Sequence, residues 1–230
     1  MPGHTHFDES TEEYLEAVYR LEREGPGVTT SGLAADLGVA PASVSGMLKK
    51  LTSDGYLTYE ARGQAKLTEK GLRVAVRVIR RNRLAEVFLQ DVLGMPWDEV
   101  HEEACRLEHA ISERVEQRLV AVLGDPKVCP HGHPIPPADL SEEPVRADLR
   151  LADAQAGTTV RVVEVVEDVP ETLRYLDRIG LRPGNTVDVV EKGPLGGPIT
   201  IECASGRTAI SIELARLIAI ATEASPALSA

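Results

Sequence analysis

Apolar residues recur every three or four positions along the first half of the chain, which is the period of amphipathic helices. A first helix, capped by Ser10 or Thr11, ends at Gly25-Pro26-Gly27. The next predicted elements are two short helices, residues 32–37 and 41–51, and a hairpin of strands 56–60 and 65–68. Two short helices joined by a tight glycine turn form a helix-turn-helix, and the added hairpin makes it a winged helix. This pattern predicts a DNA-binding domain whose second helix enters the major groove.

Three further helices are predicted in the middle of the chain, over residues 68–91, around 100–109 and over 112–123. They carry more aliphatic surface than one small core consumes, which predicts a self-complementary homodimer interface. An acidic, proline-rich stretch that continues to residue 148 predicts a linker. Short strands separated by Gly/Pro turns follow it and predict a small, partly open barrel of SH3 type. The expected fold class is therefore α+β and multidomain.

Charge is distributed unevenly along the chain. The protein has 25 Lys/Arg and 36 Asp/Glu, a formal net charge of −11, which alone argues against nucleic acid. The segment from Val28 to Arg83, however, has ten Lys/Arg and four Asp/Glu, so it carries +6 and the remainder −17. Such an asymmetry indicates a part that binds a polyanion. The alternative, a purely structural three-helix cluster, leaves this local basic excess unexplained.

The residues predicted to contact double-stranded DNA surround the helix-turn-helix. They are Thr30, Ser31, Pro41, Ala42, Ser43, Ser45 and Gly46, with Lys49, Lys50, Arg62 and Lys66 as candidates for phosphate contacts. No Arg, Gln or Asn stands in the first two turns of the second helix. We therefore expect DNA shape to supply part of the specificity.

The helix around residues 100–109 carries a potential set of metal ligands. Cys105, Glu108 and His109 stand at i, i+3 and i+4, so a thiolate, a carboxylate and an imidazole project to one side. Such a donor set suits a divalent first-row transition metal. The alternative is a solvated helix face beside a small core cysteine. The stretch that begins Cys129-Pro130-His131 also has metal-ligand residue types, but its prolines favour a structured loop over a closed zinc site.

Cysteine usage and the absence of targeting segments indicate the compartment. Three cysteines at positions 105, 129 and 203 do not make a disulfide framework, and an odd count favours reduced thiols in a cytoplasm. The N-terminus lacks a signal segment, and no apolar run approaches the roughly 20 residues needed to cross a bilayer. We expect a soluble, cytoplasmic protein.

Several motifs occur in one order along nearly the whole chain. They are the Thr-Glu-x-Tyr-Leu opening at residues 11–15, the Arg-Leu-Ala-Glu step at 83–86, the Cys-x-x-Glu-His stretch at 105–109 and the Cys-Pro-His-Gly-x-Pro-Ile-Pro loop at 129–136. Together they resemble the diphtheria-toxin-repressor family of metal-dependent transcriptional regulators. The resemblance implies a cytoplasmic homodimer that represses metal-uptake genes when metal is bound. It also implies a palindromic operator, with two dimers on one operator as a further expectation.

The resemblance implies a primary metal site of Glu13, Cys105, Glu108 and His109, with Glu16 as a further candidate. Iron-responsive members have Met where Glu13 stands, whereas manganese-responsive members have acidic residues there and at Glu16, and Glu in place of Cys105. A carboxylate favours Mn²⁺ and sulfur favours Fe²⁺. We predict Mn²⁺ first and Fe²⁺ next, with one or two ions per subunit. Helix-dipole chemistry is the alternative explanation of Glu13 and Glu16.

The resemblance also implies an ancillary site of Glu86 and His101, with Asp168 and Glu171 from the SH3-like domain. Asn82, which stands where the family usually has His, shares a helix face with Glu86, but an amide oxygen is a poorer ligand than an imidazole. The predicted domains are a winged helix over 1–72, a helical metal-binding and dimerisation domain over 73–140, a linker over 141–150 and an SH3-like, FeoA-like domain over 151–230.

Two other functions remain open. His101-Glu102 resembles the start of a zinc metallopeptidase motif, but Cys105 replaces its second His, so we expect no enzyme. A metal-independent winged-helix regulator whose C-terminal domain binds a protein partner is the second alternative.

Overall fold

A computed structural model describes residues 8–25, 27–59, 63–140, 149–166 and 169–222. These residues form two compact units. The first contains the described residues up to Arg81, Glu108–Ala110 and a segment that begins at Pro136; the second contains Asn82–Leu107, Ile111–Ile135 and the described residues from 149 onward. No helix in these ranges combines the length and the apolar character that a membrane span requires.

The first unit is a winged helix. Its elements are α1 (Glu9–Glu24), α2 (Thr30–Asp36), α3 (Pro41–Ser53), β1 (Leu57–Tyr59), β2 (Ala65–Leu67) and the first part of α4 (Glu69–Val87). Fully buried aliphatic side chains from these elements make one core, among them Leu15, Val18, Leu33, Val44, Leu48 and Leu51. The strands pair antiparallel, with Leu57 opposite Leu67. The predicted helix-turn-helix and hairpin are confirmed.

Local capping explains where these helices begin. Asp8 is the N-cap of α1, so the predicted cap at Ser10 or Thr11 is wrong and both residues lie in the first turn. The side chain of Thr29 accepts a hydrogen bond from the Gly32 N–H at 3.0 Å, which fixes the start of α2. Pro41 occupies the first turn of α3, where its missing N–H is not needed.

The second unit begins with helices from the middle of the chain. The last part of α4 continues as a π-helical turn (Phe88–Val92), and α5 (Val100–Glu108) and α6 (Glu113–Leu123) follow. The helix carrying the predicted ligands thus ends one residue before His109. None of the residues of α6 is buried within the subunit. Leu119, Val120 and Leu123 pack partly against small apolar clusters, whereas Val115 and Val122 are 46% and 69% exposed.

The rest of the second unit is a five-stranded antiparallel sheet in the order β6-β5-β4-β3-β7. Its elements are β3 (Thr158–Val165), α7 (Pro170–Arg178), β4 (Thr186–Lys192), β5 (Ile199–Cys203), β6 (Gly206–Ile210), α8 (Ile212–Arg216) and β7 (Ile218–Thr222). Trp97, from the segment before α5, belongs to the core of this domain. The composition of residues 208–212 predicts one strand, but β6 ends at Ile210 because the Ser211 side chain caps α8 through the Leu214 N–H at 3.1 Å.

The loop from Cys129 to Pro134 is attached to strand β3. The Val165 N–H donates to the carbonyl of His131 at 2.9 Å, and within the loop the Cys129 N–H donates to the carbonyl of His133 at 2.9 Å. Gly132 has a φ of +85°, and a Cβ at this position would lie 2.0 Å from the carbonyl oxygen of Val163. Only glycine satisfies both conditions, so it determines how closely the loop approaches the sheet.

Candidate functional site

The first unit brings two carboxylates and an imidazole together. Glu9 and Glu13, one turn apart on α1, and His109 have potential ligand atoms that all lie within 4.8 Å of one another. We call these three residues the N-terminal group. The His109 ring is further bracketed by carboxylates, with Nδ1 2.7 Å from Glu12 Oε2 and Nε2 3.2 Å from Glu108 Oε1.

The surroundings of His109 favour positive charge. The hydrogen bond to Glu12 raises the pKa of His109, outweighing the opposite effect of burial, and the charges of Glu108, Glu12 and Glu9 act in the same direction. Glu12 and Glu108 are buried, at 5% and 3% exposure. A position that stabilises a proton in this way also stabilises a divalent cation, so the two compete for the imidazole.

The second unit contains another convergent set of ligands. Glu86 on α4 and the loop residues Cys129 and His131 are buried, and their potential ligand atoms all lie within 4.8 Å of one another. We call these three residues the buried group. Glu86 is its centre: Oε1 is 3.0 Å from Nδ1 of His101, Oε2 is 3.4 Å from Nδ1 of His131, and the Cys129 thiol also hydrogen-bonds to this carboxylate.

Hydrogen bonds to the Glu86 carboxylate hold the buried group together in the absence of a metal. Burial alone would raise the pKa of Glu86, but the hydrogen bonds from His101 and His131 outweigh it and hold that pKa well below its usual range. Burial, reinforced by the negative charge of Glu86, raises the pKa of the Cys129 thiol. A cation that enters must therefore displace the thiol proton, so its affinity rises with pH. A carboxylate, a thiol and an imidazole form a donor set that fits a divalent first-row transition metal.

Cys105 lies beside residues of the predicted ancillary site. Its sulfur accepts a hydrogen bond from Nδ2 of Asn82 at 3.5 Å and lies 3.6 Å from Nε2 of His101. The hydrogen bond to Cys105, followed by that to Glu86, raises the pKa of His101 to about 11. The amide nitrogen of Asn82 therefore faces the sulfur.

The remaining predicted ligands lie apart from these groups or outside the described residues. Glu171 is exposed on α7 and pairs with Arg174 at 2.9 Å, and the ligand groups found among the described residues do not include it. Asp168 lies outside those residues. Glu16 is half-buried on α1. That Cys105 joins Glu13, Glu108 and His109, with Glu16 as a further ligand, stays a prediction.

Sequence reasoning missed several residues around the two groups. Glu9 lies before the predicted helix start at Ser10 or Thr11, and an acid such as Glu12 in the first turn of a helix is common without a ligand. The loop of Cys129 and His131 was interpreted as structural, although its Cys-x-His spacing was a usable signal. His133 in the same loop contacts the buried Glu164 at 2.7 Å through Nδ1.

The predicted DNA contacts lie on the helix-turn-helix and the hairpin. Pro41, Ala42, Ser43, Gly46, Lys49, Lys50 and Lys66 are exposed there. Three of the hydroxyls are engaged: Ser45 donates to the Pro41 carbonyl at 3.0 Å, Thr30 Oγ1 is 3.3 Å from the Tyr59 hydroxyl, and Ser31 Oγ is 3.2 Å from Thr29 Oγ1. Arg62 lies outside the described residues. The exposed lysines suit phosphate contacts.

Comparison with known proteins assigns this chain to a family. The family described as "Iron dependent repressor, N-terminal DNA binding domain" matches residues 6–65, its "metal binding and dimerisation domain" matches 68–137, and the FeoA domain matches 149–222. The iron-dependent repressor IdeR of Mycobacterium tuberculosis (strain ATCC 25618 / H37Rv) is 40% identical over 204 residues, which cover 84% of this chain and 88% of that protein. The chain belongs to the iron-dependent repressor family.

Other members of the iron-dependent repressor family are also similar to this chain. The diphtheria toxin repressor of Corynebacterium diphtheriae is 32% identical over 194 residues, which cover 80% of this chain and 85% of that protein. A solved manganese-dependent transcriptional repressor in complex with manganese has a TM-score of 0.83 at 34% identity, covering 92% of this chain and 99% of its own. Family membership confirms a metal-responsive, DNA-binding regulator that dimerises, with a C-terminal SH3-like FeoA domain.

Proposed function

We propose that this family member responds to Mn²⁺, with Fe²⁺ as the alternative, and represses metal-uptake genes when the metal is bound. The observation that carries the proposal is the N-terminal group, in which Glu9 and Glu13 converge on His109. Hard carboxylate oxygens favour Mn²⁺ over softer metals. The similarity to a manganese-dependent repressor supports this choice.

Electrostatic repulsion within the first unit provides the switch. Glu9, Glu12 and Glu13 of α1 carry the same charge as Glu108 beside His109, and the repulsion between these carboxylates weakens the attachment of α1 at His109. A divalent cation supplies the positive charge that removes this repulsion. Only the difference in its affinity between the DNA-binding conformation and the others can shift the equilibrium. Glu9, Glu13 and His109 would hold the ion.

We propose one or two ions per subunit, because the buried group is a second donor set. Its thiol, from Cys129, is the softer ligand that would favour Fe²⁺. If this group rather than the N-terminal group sets the response, Fe²⁺ is the effector.

The proposed partner is a palindromic operator bound by a homodimer, with two dimers on one operator as the larger assembly. A two-fold dimer presents two copies of α3, which match half-sites one helical turn of DNA apart or a multiple of it.

The test is a gel-shift titration of the full protein with Mn²⁺ and with anaerobic Fe²⁺ at equal free concentration. We expect DNA binding to require metal and to saturate at a lower free concentration of Mn²⁺ than of Fe²⁺. Glu13→Gln should weaken the response, whereas Glu69→Gln, which changes an exposed carboxylate on α4, should not. DNA binding that is indifferent to chelator and to both metals would contradict the proposal and favour a metal-independent regulator with a protein partner.

We further propose that the protein is a regulator without enzymatic activity. The supporting observation is that His101, the first residue of the partial peptidase motif, is engaged by Glu86 and Cys105. Peptidase assays of the metal-loaded protein should give the rate of the buffer alone, and turnover abolished by His101→Ala would contradict this.

A further inference from the structure

Trp97, the only tryptophan in the chain, contacts the Cys129–His131 loop through both its backbone and its indole ring. It is 3% exposed and lies in the segment between the π-helical turn and α5. Its backbone carbonyl is 3.1 Å from Nε2 of His131, and its indole Nε1–H donates to the Pro130 carbonyl at 3.0 Å. The indole ring also packs against the His131 ring, with centroids 5.2 Å apart and planes tilted by 32°.

The contact with the Trp97 carbonyl decides which nitrogen of His131 can bind a cation. A carbonyl only accepts hydrogen bonds, so Nε2 of His131 carries a proton. Nδ1, which donates to Glu86, is then the nitrogen whose proton a cation would replace. A backbone carbonyl on the second ring nitrogen is the usual arrangement of a metal-binding histidine, because it fixes both the tautomer and the ring orientation.

The indole contact holds the loop itself. Pro130 stands between the two loop ligands, so fixing its carbonyl restrains Cys129 and His131 together. The tryptophan itself is also restrained, since the Arg182 guanidinium lies 4.8 Å from the ring centroid and Trp97 belongs to the core of the FeoA domain. The loop is therefore clamped between Trp97 and strand β3, which holds the His131 carbonyl.

We propose that Trp97 is a positioning residue for a divalent cation at the buried group, and that its fluorescence reports occupancy of that group. The residue does not contact the ion; it holds the Nε2 proton and the ring orientation of His131, and the position of the Cys129–His131 loop. This proposal rests on the proposed function, since it requires the buried group to bind a cation. It adds a residue that links cation binding to the core of the FeoA domain.

The test titrates Co²⁺ into full-length protein carrying Cys105→Ser. This substitution removes the other predicted cysteine ligand, so that cobalt–thiolate absorption reports Cys129 of the buried group. Thiolate-to-cobalt charge-transfer absorption measures ligation by Cys129, and Trp97 emission is followed in the same titration. We expect both signals to saturate together and both to be lost on Cys129→Ser. Trp97→Phe keeps an aromatic ring and the backbone carbonyl but removes the indole donor. It should weaken the Co²⁺ affinity read from the absorption band by about tenfold.

Ile210→Val is the matched control, because Ile210 is 2% exposed in the same core but makes no hydrogen bond to the loop through its side chain. It should lower thermal stability while leaving Co²⁺ affinity unchanged. The proposal would be overturned if Trp97→Phe kept the wild-type Co²⁺ affinity, or if Ile210→Val lost as much Co²⁺ affinity as Trp97→Phe. An absorption band that Cys129→Ser does not remove would overturn it as well. Mn²⁺-dependent DNA binding of the intact protein, measured in parallel, tests the proposed function separately.

Discussion

The hydrogen bond between Glu12 and His109 leads to a quantitative prediction about metal affinity. Glu12 lies one residue before the proposed ligand Glu13, and its Oε2 is 2.7 Å from Nδ1 of His109. Both side chains are largely buried, at 7% and 12% exposure, so solvent screens this contact little. Because Nδ1 donates to Glu12, Nε2 is the nitrogen available to a metal. The contact therefore orients the ligand and increases its basicity.

Glu12→Gln keeps the size of the side chain but removes its charge. Losing the outer hydrogen-bond partner of a metal-binding histidine typically weakens affinity about 10- to 100-fold, or about 1.4 to 2.7 kcal/mol. A second effect opposes this loss. The bond to Glu12 raises the pKa of His109, so protons compete with the cation in the wild type, and the variant lowers that pKa. We therefore expect the full loss of Mn²⁺ affinity at high pH, where His109 has no competing proton in either protein. As pH falls, the difference in affinity between wild type and variant should become smaller.

The assay measures free Mn²⁺ by electron paramagnetic resonance during titration, in protein carrying Cys129→Ser so that the buried group does not contribute. Titrations at about pH 6 and about pH 8.5 lie on either side of the ordinary titration range of histidine. Glu22→Gln is the matched control on α1, because its carboxylate accepts from the Leu67 N–H rather than facing His109. Wild-type affinity of Glu12→Gln at the higher pH, or a difference that widens as pH falls, would refute the reasoning.

Four further predictions concern stability and DNA binding. Gly132→Ala should destabilise the protein by about 2 kcal/mol or more in urea unfolding, since the residue has a φ of +85° and its Cβ would meet a backbone oxygen at 2.0 Å. Thr29→Ala should lower the free energy of unfolding by about 1 kcal/mol, through loss of the N-cap of α2. Lys49→Ala should weaken binding to all DNA sequences alike and reduce the salt-dependence slope by about 1. In the metal-free protein, the hydrogen bond to Cys105 contributes most to a His101 pKa of about 11, above the ordinary value of 6.5. The resulting stability is complete below pH 6.5 and is lost as pH rises through the folded pKa, so His101→Gln should flatten the alkaline part of a stability profile measured by thermal unfolding.

Local patterns in the chain were sufficient for most of the helices and for the order of the domains. The stripe of Val44, Leu48 and Leu51, with Pro41 at the start, predicts α3 because helix period and turn chemistry are both local properties. The end of β6 was harder to predict, because Ser211 fits a strand by composition but caps a helix in the structure. Capping depends on the next three residues rather than on the alternation before them.

The composition of the buried group could not be derived from local patterns. Glu86 and His101 were predicted as ligands from a resemblance, but Cys129 and His131 lie beside Glu86 in a loop that long-range contacts hold, among them the one to strand β3. The Cys-x-His spacing indicates two ligands in the loop, but their proximity to Glu86 joins positions far apart in the chain, which no local spacing predicts. Glu9 was missed for a different reason: the predicted helix starts at Ser10 or Thr11, whereas α1 is capped by Asp8 and includes Glu9 in its first turn.

The partly packed helix α6 bears on how the protein must be handled. Val115 and Val122 face outward, and no residue of α6 is buried by the subunit alone. In a family that dimerises, such a helix gains much of its stability from a second copy, so the midpoint of thermal unfolding should depend on subunit concentration. Dilution alone would then loosen this part of the molecule. A measured change in metal response is interpretable only at a fixed, stated protein concentration.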